Sequence, residues 1–538
     1  MDVVIGIDTG TTATKGVAAA RTGELRALTS VHYPLSVPGP GRAELDSERV
    51  RDAAVEALVD VARQSRERGD RVIAVSLSAF LHALVPMAAD GRPAGPLVTW
   101  ADGRAAAQSE RLADAGLAKK LQTRTGTPVH PMSPLTKLAW WHDTDPETLR
   151  GTPRWGGVKE LVLGALADGP YLVDLSIASG TGLYDIHERR WDPEALEIAG
   201  VRPEQLAEVV PTTHRMRLRA EVAAAAGLPP DLPLIIGAAD GPLANLGVGA
   251  TPAGVAAVSL GTSGALRTVV DRPTVDEAGR MFCYALTEDR WVIGGAINNA
   301  GSVVRWAGQS FAGGLPSAES AATGPTDGYL QPAGKGEDAD QRDAALLLEA
   351  ASAPTGSDGL LCLPYLLGER APWWRSGMRG AYIGLRREHG RPHLVRAAVE
   401  GVCQQLALVR DTFAAENHNV TEVRATGGAV ASDLWVRVLA AALDLPVAVA
   451  DTPEGTGLGA CLLGLHALGE RPDLDEAAAL VAIGEHIRPD PDDAALYRRL
   501  RPLIEQSALA VADVVTELDR IAPKPLPSTE KAVGSAGR

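Results

Sequence analysis

The stretch VVIGIDTGTTATKG, Val3–Gly16, opens the chain and frames the reading of the rest. Val3–Asp8 is an apolar run suited to a buried strand. Gly10 and Thr11 turn the chain, and Lys15–Ala20 reads as a second strand that completes a hairpin. A run of Val and Ala after such a turn also suits the start of a helix, but β-branched Val17 and the turn residues Arg21–Glu24 favour the hairpin. Such a hairpin gathers a carboxylate, turn N–H groups and several hydroxyls at one point.

Near the middle, VAAVSLGTSGALRTVV, Val255–Val270, repeats the plan: apolar run, Gly-Thr turn, apolar run. Two domains of similar architecture explain the echo, although Gly-Thr turns are common enough to recur by accident. Ser47–Arg68 has helical apolar spacing with Ser47 as its expected cap, and Arg71–Ser78 reads as a strand. This alternation gives an α/β fold class. PLIIGAADGPLANLGVGA, Pro233–Ala250, reads as a strand running into a small-residue helix. VRATGGAVASDLW, Val423–Trp435, and EGTGLGACLLGLHALG, Glu454–Gly469, are Gly-rich turns that enter apolar helices. Gly313–Asp343 reads as a long insertion or mobile loop, and Ala522–Arg538 as a disordered tail.

A length of 538 residues exceeds what one core normally supports. The expected divisions are residues 1–250, 251–470, a helical extension over 471–521 and the tail over 522–538. A net charge of -15 argues against nonspecific binding to nucleic acid or an anionic membrane, but not against binding small anions. Cys283, Cys362, Cys403 and Cys461 show no metal-type spacing and suit a reducing compartment. With neither a signal-peptide pattern nor a long apolar span, a cytoplasmic location is expected.

None of the Gly-rich turns fits a Walker A loop or a convincing dinucleotide fingerprint. They share N–H groups at tight turns with Thr or Ser alongside, which makes anion nests. Two Gly-Thr hairpins and a third turn at Gly427-Gly428 would let two domains grip a polyphosphate from opposite sides; each turn alone also reads as a hairpin without a ligand. Asp8 suits a phosphate-bound magnesium or a turn cap. Asp240, at the carboxyl end of a strand, suits a proton acceptor for a substrate hydroxyl or a helix cap. His82 reads as a core histidine or a ligand. Trp100, Asp102 and Arg104 form a polar-aromatic cluster suited to a polyol or to a surface turn. Glu369 and Arg370 read as a structural ion pair at a loop hinge.

Taken in order, these segments resemble the FGGY carbohydrate kinases, within the superfamily of sugar kinases, actin and heat-shock ATPases. IDTGTTATKG resembles the first phosphate motif, and MSPLTKLAWW, Met132–Trp141, the first family signature. GTSGALR resembles the second phosphate motif, GAYIGLRREHGRPHLVRAAVE, Gly380–Glu400, the second signature, and TGGAVASDLW the adenosine motif. GAADGPLANLGVGA, SLGTSGALRT and CYALTEDRWVIGGAINNAGSVVRW look most like the gluconokinase branch. Phe80 stands where pentulose kinases usually carry Gln, and the Arg-Glu pair of glycerol kinases is absent.

The resemblance implies two ribonuclease-H-like, actin-like ATPase domains, each a mixed five-stranded sheet with flanking helices, with ATP and sugar meeting in the cleft between them. It implies Asp240 as general base, Asp8 as organiser of Mg2+, and Thr11, Thr12, Lys15, Gly261 and Thr262 at the phosphates. Gly301, Arg305, Gly427, Gly428 and Ser432 would border the nucleotide, and His82, Trp100, Asp102 and Asp240 the sugar. The implied reaction is ATP-dependent phosphorylation of D-gluconate, with xylulose, another pentulose or a polyol as alternative acceptors. A nucleotide-dependent sugar-binding switch without turnover is the rival from another class. The expected partners are thus the sugar and ATP, with homodimer formation left open. For the carboxylate of gluconate, Lys137, His82, Arg267 and Arg305 are the candidate cations, and Asp240 is expected to behave as an ordinary carboxylate with pKa about 3.9.

Overall fold

The structure, a computed structural model, describes residues 1–311, 337–450, 452 and 454–521. The first half contributes strands β1 (Asp2–Thr9), β2 (Ala13–Ala20), β3 (Leu25–His32), β4 (Arg71–Ala79), β5 (Ala167–Asp168), β6 (Arg215–Leu218) and β7 (Pro233–Ala239). They form one sheet in the order β3-β2-β1-β4-β7-β6-β5. The second half contributes β8 (Val255–Leu260), β9 (Gly264–Val270), β10 (Phe282–Ala285), β11 (Trp291–Ile297), β12 (Glu422–Thr426), β13 (Val447–Ala450) and β14 (Ile483–Ile487). Their order is β10-β11-β9-β8-β12-β13-β14.

Five strands of each sheet follow one plan. An antiparallel hairpin and a third antiparallel strand lead, through the first strand of the hairpin, into two parallel strands. The repeated Gly-Thr hairpin is therefore the visible part of a repeated architecture. Each described sheet has seven strands, two more than expected. The additions are short edge strands, β5 and β6 on one sheet and β10 and β14 on the other, which extend the edges by antiparallel pairing. β14 lies inside the segment expected to be a helical extension, which otherwise holds the helices Leu474–Ala478 and Pro491–Ile521.

The apolar run of β1 exists because both faces of that strand are covered. Val3, Val4, Ile5 and Ile7 are each 0% exposed. Helix α1 (Ser47–Glu67) packs its Val50, Ala54, Ala57, Leu58 and Val61 into this core. The cap of α1 is Asp46, whose side chain accepts from the N–H groups of Glu48 and Arg49, rather than the expected Ser47. Asp46 lies one residue outside the helix, so its carboxylate reaches both free donors.

Further helices are α2 (Pro134–Thr144), α3 (Val158–Leu166), α4 (Asp240–Gly247), α5 (Gly301–Ser310), α6 (Asp433–Leu443) and α7 (Gly455–Leu468). Helix α7 comes from the second half of the chain yet lies on the first sheet, where the Cys461 Sγ is 3.5 Å from the Val17 carbonyl. It crosses α4 at backbone contact, since a Cβ on Gly459 would sit 2.0 Å from the Leu243 carbonyl oxygen. The two halves are thus joined by helices that each leave the sheet preceding them. Residues 313–336 of the expected loop and the expected disordered tail lie outside the described residues. Residues 337–343, also expected as loop, begin the helix Glu337–Ala350.

Candidate active site

The sheet register brings the two carboxylates together. β4 lies between β1 and β7, and Ser78 on β4 is the register partner of both Asp8 and Ala238. The Ser78 hydroxyl donates to Asp8 Oδ1 at 2.7 Å. Asp240 begins α4 two residues after Ala238 and accepts from the Gly241 N–H at 2.7 Å. Burial raises the pKa of Asp8, with Ser78 and Lys15 opposing. Burial, and then the charge of Asp8, push Asp240 up to about 6, with the Gly241 N–H and Arg267 opposing. This corrects the expectation of an ordinary carboxylate: two acids share a desolvated site, so ionisation of each is harder.

The first Gly-Thr turn is pinned from behind by Tyr33, whose hydroxyl donates to the Gly10 carbonyl at 2.6 Å and whose N–H donates to that of Thr12 at 3.2 Å. Thr12 is exposed and Thr11 half-buried. Lys15 follows on β2, with Nζ 2.7 Å from Glu454 Oε2 at the head of α7. The second turn, with Gly261 and Thr262 exposed, rests on the start of α5. The Gly301 N–H donates to the Gly261 carbonyl at 3.0 Å, and the Ser302 hydroxyl donates to that of Thr262 at 3.0 Å. Gly427 has φ 106°, and a Cβ there would sit 2.2 Å from the Leu260 carbonyl oxygen. Only glycine lets β12 turn this tightly beside the end of β8. Gly428 faces open space, and Ser432 precedes α6 without a side-chain capping bond. Gly261, Thr262, Gly301 and Gly427 thus form one cluster at the ends of β8 and β12. Arg305, one turn into α5, is held by Asp343 at 2.7 Å.

For the residues expected to border a sugar, the outcomes divide. His82 has φ 65°, a left-handed backbone unusual for a side chain of this size. Its Nδ1 is 2.8 Å from the Gly180 carbonyl and its Nε2 is 3.3 Å from the Tyr284 hydroxyl. The carbonyl can only accept, so Nδ1 carries the proton and Nε2 accepts from Tyr284. Burial, and then the charge of Lys137, push His82 down to about 3, so it is a neutral ligand and not a cation at neutral pH. Lys137 on α2 is fully buried, its Nζ donating to the carbonyls of His82, Thr99 and Met132 at 2.6, 2.8 and 2.7 Å. All three of its protons are used, which removes it as a receptor for a substrate anion.

Asp102 also departs from expectation. It is 1% exposed and accepts from the Ala43 N–H at 2.8 Å and from Arg104 Nε at 2.7 Å. Arg104 in turn pairs with Glu44. Asp102 therefore braces the loop that presents Trp100, rather than meeting a sugar itself. The Arg370 guanidinium lies 5.4 Å from the Trp100 ring centroid, and its Nη2 donates to the Ile297 carbonyl at 3.1 Å. Glu369 accepts from the Asn298 N–H at 2.6 Å and Asn299 Nδ2 at 3.0 Å, anchoring the loop that carries Arg370. Sequence spacing gives no sign of the Arg370–Trp100 contact or of Tyr284 beside His82, because both join distant parts of the chain. Arg267, on β9, is buried beside the start of α4, and a Cβ on Gly241 would sit 4.0 Å from its Nε. Among the described residues no group of three or more His, Cys, Asp or Glu is arranged around a metal. No helix among them is long and apolar enough to cross a membrane.

The sequence matches the models of the N-terminal and C-terminal domains of the FGGY family of carbohydrate kinases over residues 3–247 and 256–468. The chain belongs to that family. The kinase is 37% identical over 503 residues to the gluconokinase of Bacillus subtilis (strain 168), covering 93% of this chain and 94% of that one. The gluconate kinase from Lactobacillus acidophilus superposes with a TM-score of 0.87 at 31% identity, covering 96% of this chain and 99% of that one. A ligand-bound xylulose kinase from the same organism gives the same TM-score, 0.87, and the same 31% identity, covering 96% of this chain and 100% of that one. The kinase therefore has the two-domain carbohydrate-kinase fold, and the turns and carboxylates described above lie within the matched domains.

Proposed function

We propose that this kinase transfers the terminal phosphoryl group of ATP to the 6-hydroxyl of D-gluconate. The observation that carries this reading is the buried Arg267 guanidinium, 7% exposed beside the first turn of α4, whose Nε has no partner among the described residues. The carboxylate of a sugar acid can accept from that donor in a charge-assisted bond, which a neutral sugar cannot match. The identity to a gluconokinase along nearly the whole chain supports the same acceptor.

Phosphoryl transfer asks the protein for alignment, charge stabilisation and a proton acceptor. Asp240 takes the last role. With a pKa of about 6 it is about nine-tenths ionised at pH 7, yet basic enough to receive the proton as the hydroxyl oxygen bonds to phosphorus. Thr11, Thr12 and Lys15 hold the phosphates from one side, Gly261 and Thr262 from the other. Gly301, Gly427, Gly428 and Ser432 border the nucleotide. Arg305, one turn into α5 and partly solvated in its pair with Asp343, borders the nucleotide with them. His82 and Trp100 line the sugar, while Asp102 and Lys137 fix the loops that carry them. Closure of the two halves excludes water, the competing acceptor.

Two carboxylates close enough that the charge of Asp8 raises Asp240 suit a hard dication that keeps several waters, so Asp8, with Asp240 nearby, fits Mg2+ delivered with ATP. When bound, the ion neutralises charge on the phosphates. The four thiols are buried and unpaired, which supports a cytoplasmic setting.

A coupled assay over a panel of sugar acids, ketoses and polyols tests the proposal. D-Gluconate is expected to give the highest kcat/KM. A higher value for xylulose would favour the second reading, which rests on the equally good superposition of a xylulose kinase. Binding without turnover across the panel would identify a nucleotide-dependent switch instead.

A further inference from the structure

We infer that His130 is a further substrate-binding residue, donating one hydrogen bond from Nε2 to an oxygen of the sugar acid, and that Trp374 from the second half positions its ring. This inference rests on the sugar-acid reading above and adds one contact to the same site.

His130 stands three residues before Ser133, the cap of α2. Its carbonyl accepts from the Ser133 N–H at 3.0 Å and from the Thr136 hydroxyl at 2.8 Å, so the start of that helix fixes its backbone. The Met132 N–H donates to the ring Nδ1 at 3.3 Å. Burial, and then the charges of Arg370 and Lys137, hold the imidazole down to about 3, so the ring is neutral at pH 7. With Nδ1 accepting, the single proton of a neutral ring sits on Nε2. That N–H has no hydrogen-bond partner among the described residues. The ring is only half-buried, so the donor is open to a ligand rather than stranded in the core. In a closed cleft that excludes water, a donor left unpaired costs about 1–3 kcal/mol, which favours a substrate oxygen at that place.

The neighbours put this donor with the residues proposed to line the sugar. His82, Lys137 and Arg370 lie within electrostatic reach of the ring. Arg370 in turn lies over Trp100. Trp374 meets the imidazole edge to face, with centroids 6.0 Å apart and planes at 70°. The indole is itself fixed, its Nε1 donating to the Arg280 carbonyl at 2.9 Å. Trp374 has φ 50° and His82 has φ 65°. A left-handed backbone is costly at side chains of this size and is retained where a binding site holds it. Both strained residues are neighbours of His130. A neutral donor suits this position, because it meets a hydroxyl or carboxylate oxygen without adding a third charge beside Lys137 and Arg370.

The rival role is packing alone, with the Nε2–H turned onto the Trp374 ring, a weak contact. Nitrogen NMR of the full-length enzyme carrying 15N-histidine separates the two, His130→Leu assigning the signal by its absence. Saturating D-gluconate is expected to shift the Nε2 resonance of His130. His130→Leu is expected to raise KM for D-gluconate about tenfold, with kcat and KM for ATP within about twofold of wild type. His130→Gln, which keeps an N–H donor near the same point, should bring KM back to within about threefold. Trp374→Leu should raise KM for D-gluconate about threefold alone and not at all in the His130→Leu background, because it acts through the same bond. Turnover of D-gluconate by a wild-type enzyme whose Nε2 resonance does not move overturns the inference and leaves the gluconate reading intact. So does a His130→Leu enzyme with KM for D-gluconate unchanged. Additive effects of the two substitutions overturn the positioning role of Trp374. No turnover of D-gluconate by the wild-type enzyme overturns the functional reading and this inference with it.

Discussion

The ammonium of Lys15, on the second strand of the first hairpin, stands 2.7 Å from the carboxylate of Glu454 at the head of α7. One follows the Gly-Thr turn of the first half, the other lies in a segment from the second. Their side chains are 37% and 18% exposed, so the pair is partly solvated. Such pairs contribute about 1 kcal/mol or less, which a polyphosphate can readily outcompete. Lys15→Met is expected to raise KM for ATP about tenfold, the scale of one charge-assisted phosphate contact. Glu454→Gln, which releases Lys15 from its partner, should lower KM for ATP or leave it unaltered. Steady-state kinetics at fixed sugar concentration checks both. An unchanged KM for ATP in Lys15→Met would remove that residue from the phosphate site.

With Asp240 as the proposed base, its raised pKa gives the reaction an acid limb. The base must be ionised, so log kcat is expected to fall with unit slope as pH drops through about 6. Asp240→Asn should lower kcat by about 10²–10⁴ and abolish that limb, while ATP binding is retained. A pH–rate profile checks the wild-type enzyme, and a profile flat down to pH 5 would contradict the assignment of Asp240.

The same shift predicts a stability effect of opposite sense to the loss of activity. The folded-state pKa of Asp240 is raised above its unfolded value, so the native state binds this proton more tightly. The associated stability is present below the unfolded pKa and is lost as pH rises towards about 6. Asp240→Asn escapes this loss. Its stability relative to wild type should therefore increase by about 1–2 kcal/mol between pH 4 and pH 7. Thermal or urea unfolding of both proteins at the two pH values provides the comparison. A difference that does not change with pH would show that Asp240 titrates normally.

Lys159 on α3 supports the site from below. Its Nζ donates to the Ile236, Leu77 and Ala238 carbonyls at 2.6, 3.2 and 3.2 Å and lies 3.3 Å from Asp174 Oδ2. Both side chains are 0% exposed. The ammonium therefore ties the ends of β4 and β7 just before Asp240. Lys159→Met strands a buried carboxylate and three carbonyls, and is expected to destabilise the protein by about 3–5 kcal/mol. Denaturant unfolding checks this, and a loss below about 1 kcal/mol would show that the region relaxes without the clamp.

Both hairpins were readable in the sequence because each is local: an apolar run, a Gly-Thr turn and a second apolar run within a short span. The meeting of Asp8 and Asp240 was not, because it depends on β4 pairing in parallel with both β1 and β7. The family resemblance supplied that link. Lys137 shows where residue type misleads. A lysine in a signature helix reads as a cation for substrate, yet three carbonyls from separate loops converge on it. Asp102 misled in the same way, since its partners Ala43 and Arg104 turn an apparent ligand into a brace. The expected Glu369–Arg370 pairing says nothing of the further contacts, Arg370 over Trp100 and Glu369 with Asn298 and Asn299. In each case the deciding contact is long-range, where sequence spacing carries no signal.

The most direct test is a crystal structure of the kinase with a non-hydrolysable ATP analogue and D-gluconate. The account predicts the terminal phosphorus between the Thr11 and Thr262 turns, about 3–3.5 Å from the 6-hydroxyl oxygen, with that hydroxyl hydrogen-bonded to Asp240. A nucleotide bound outside the cleft, or a 6-hydroxyl pointing away from Asp240 in a closed complex, would contradict it.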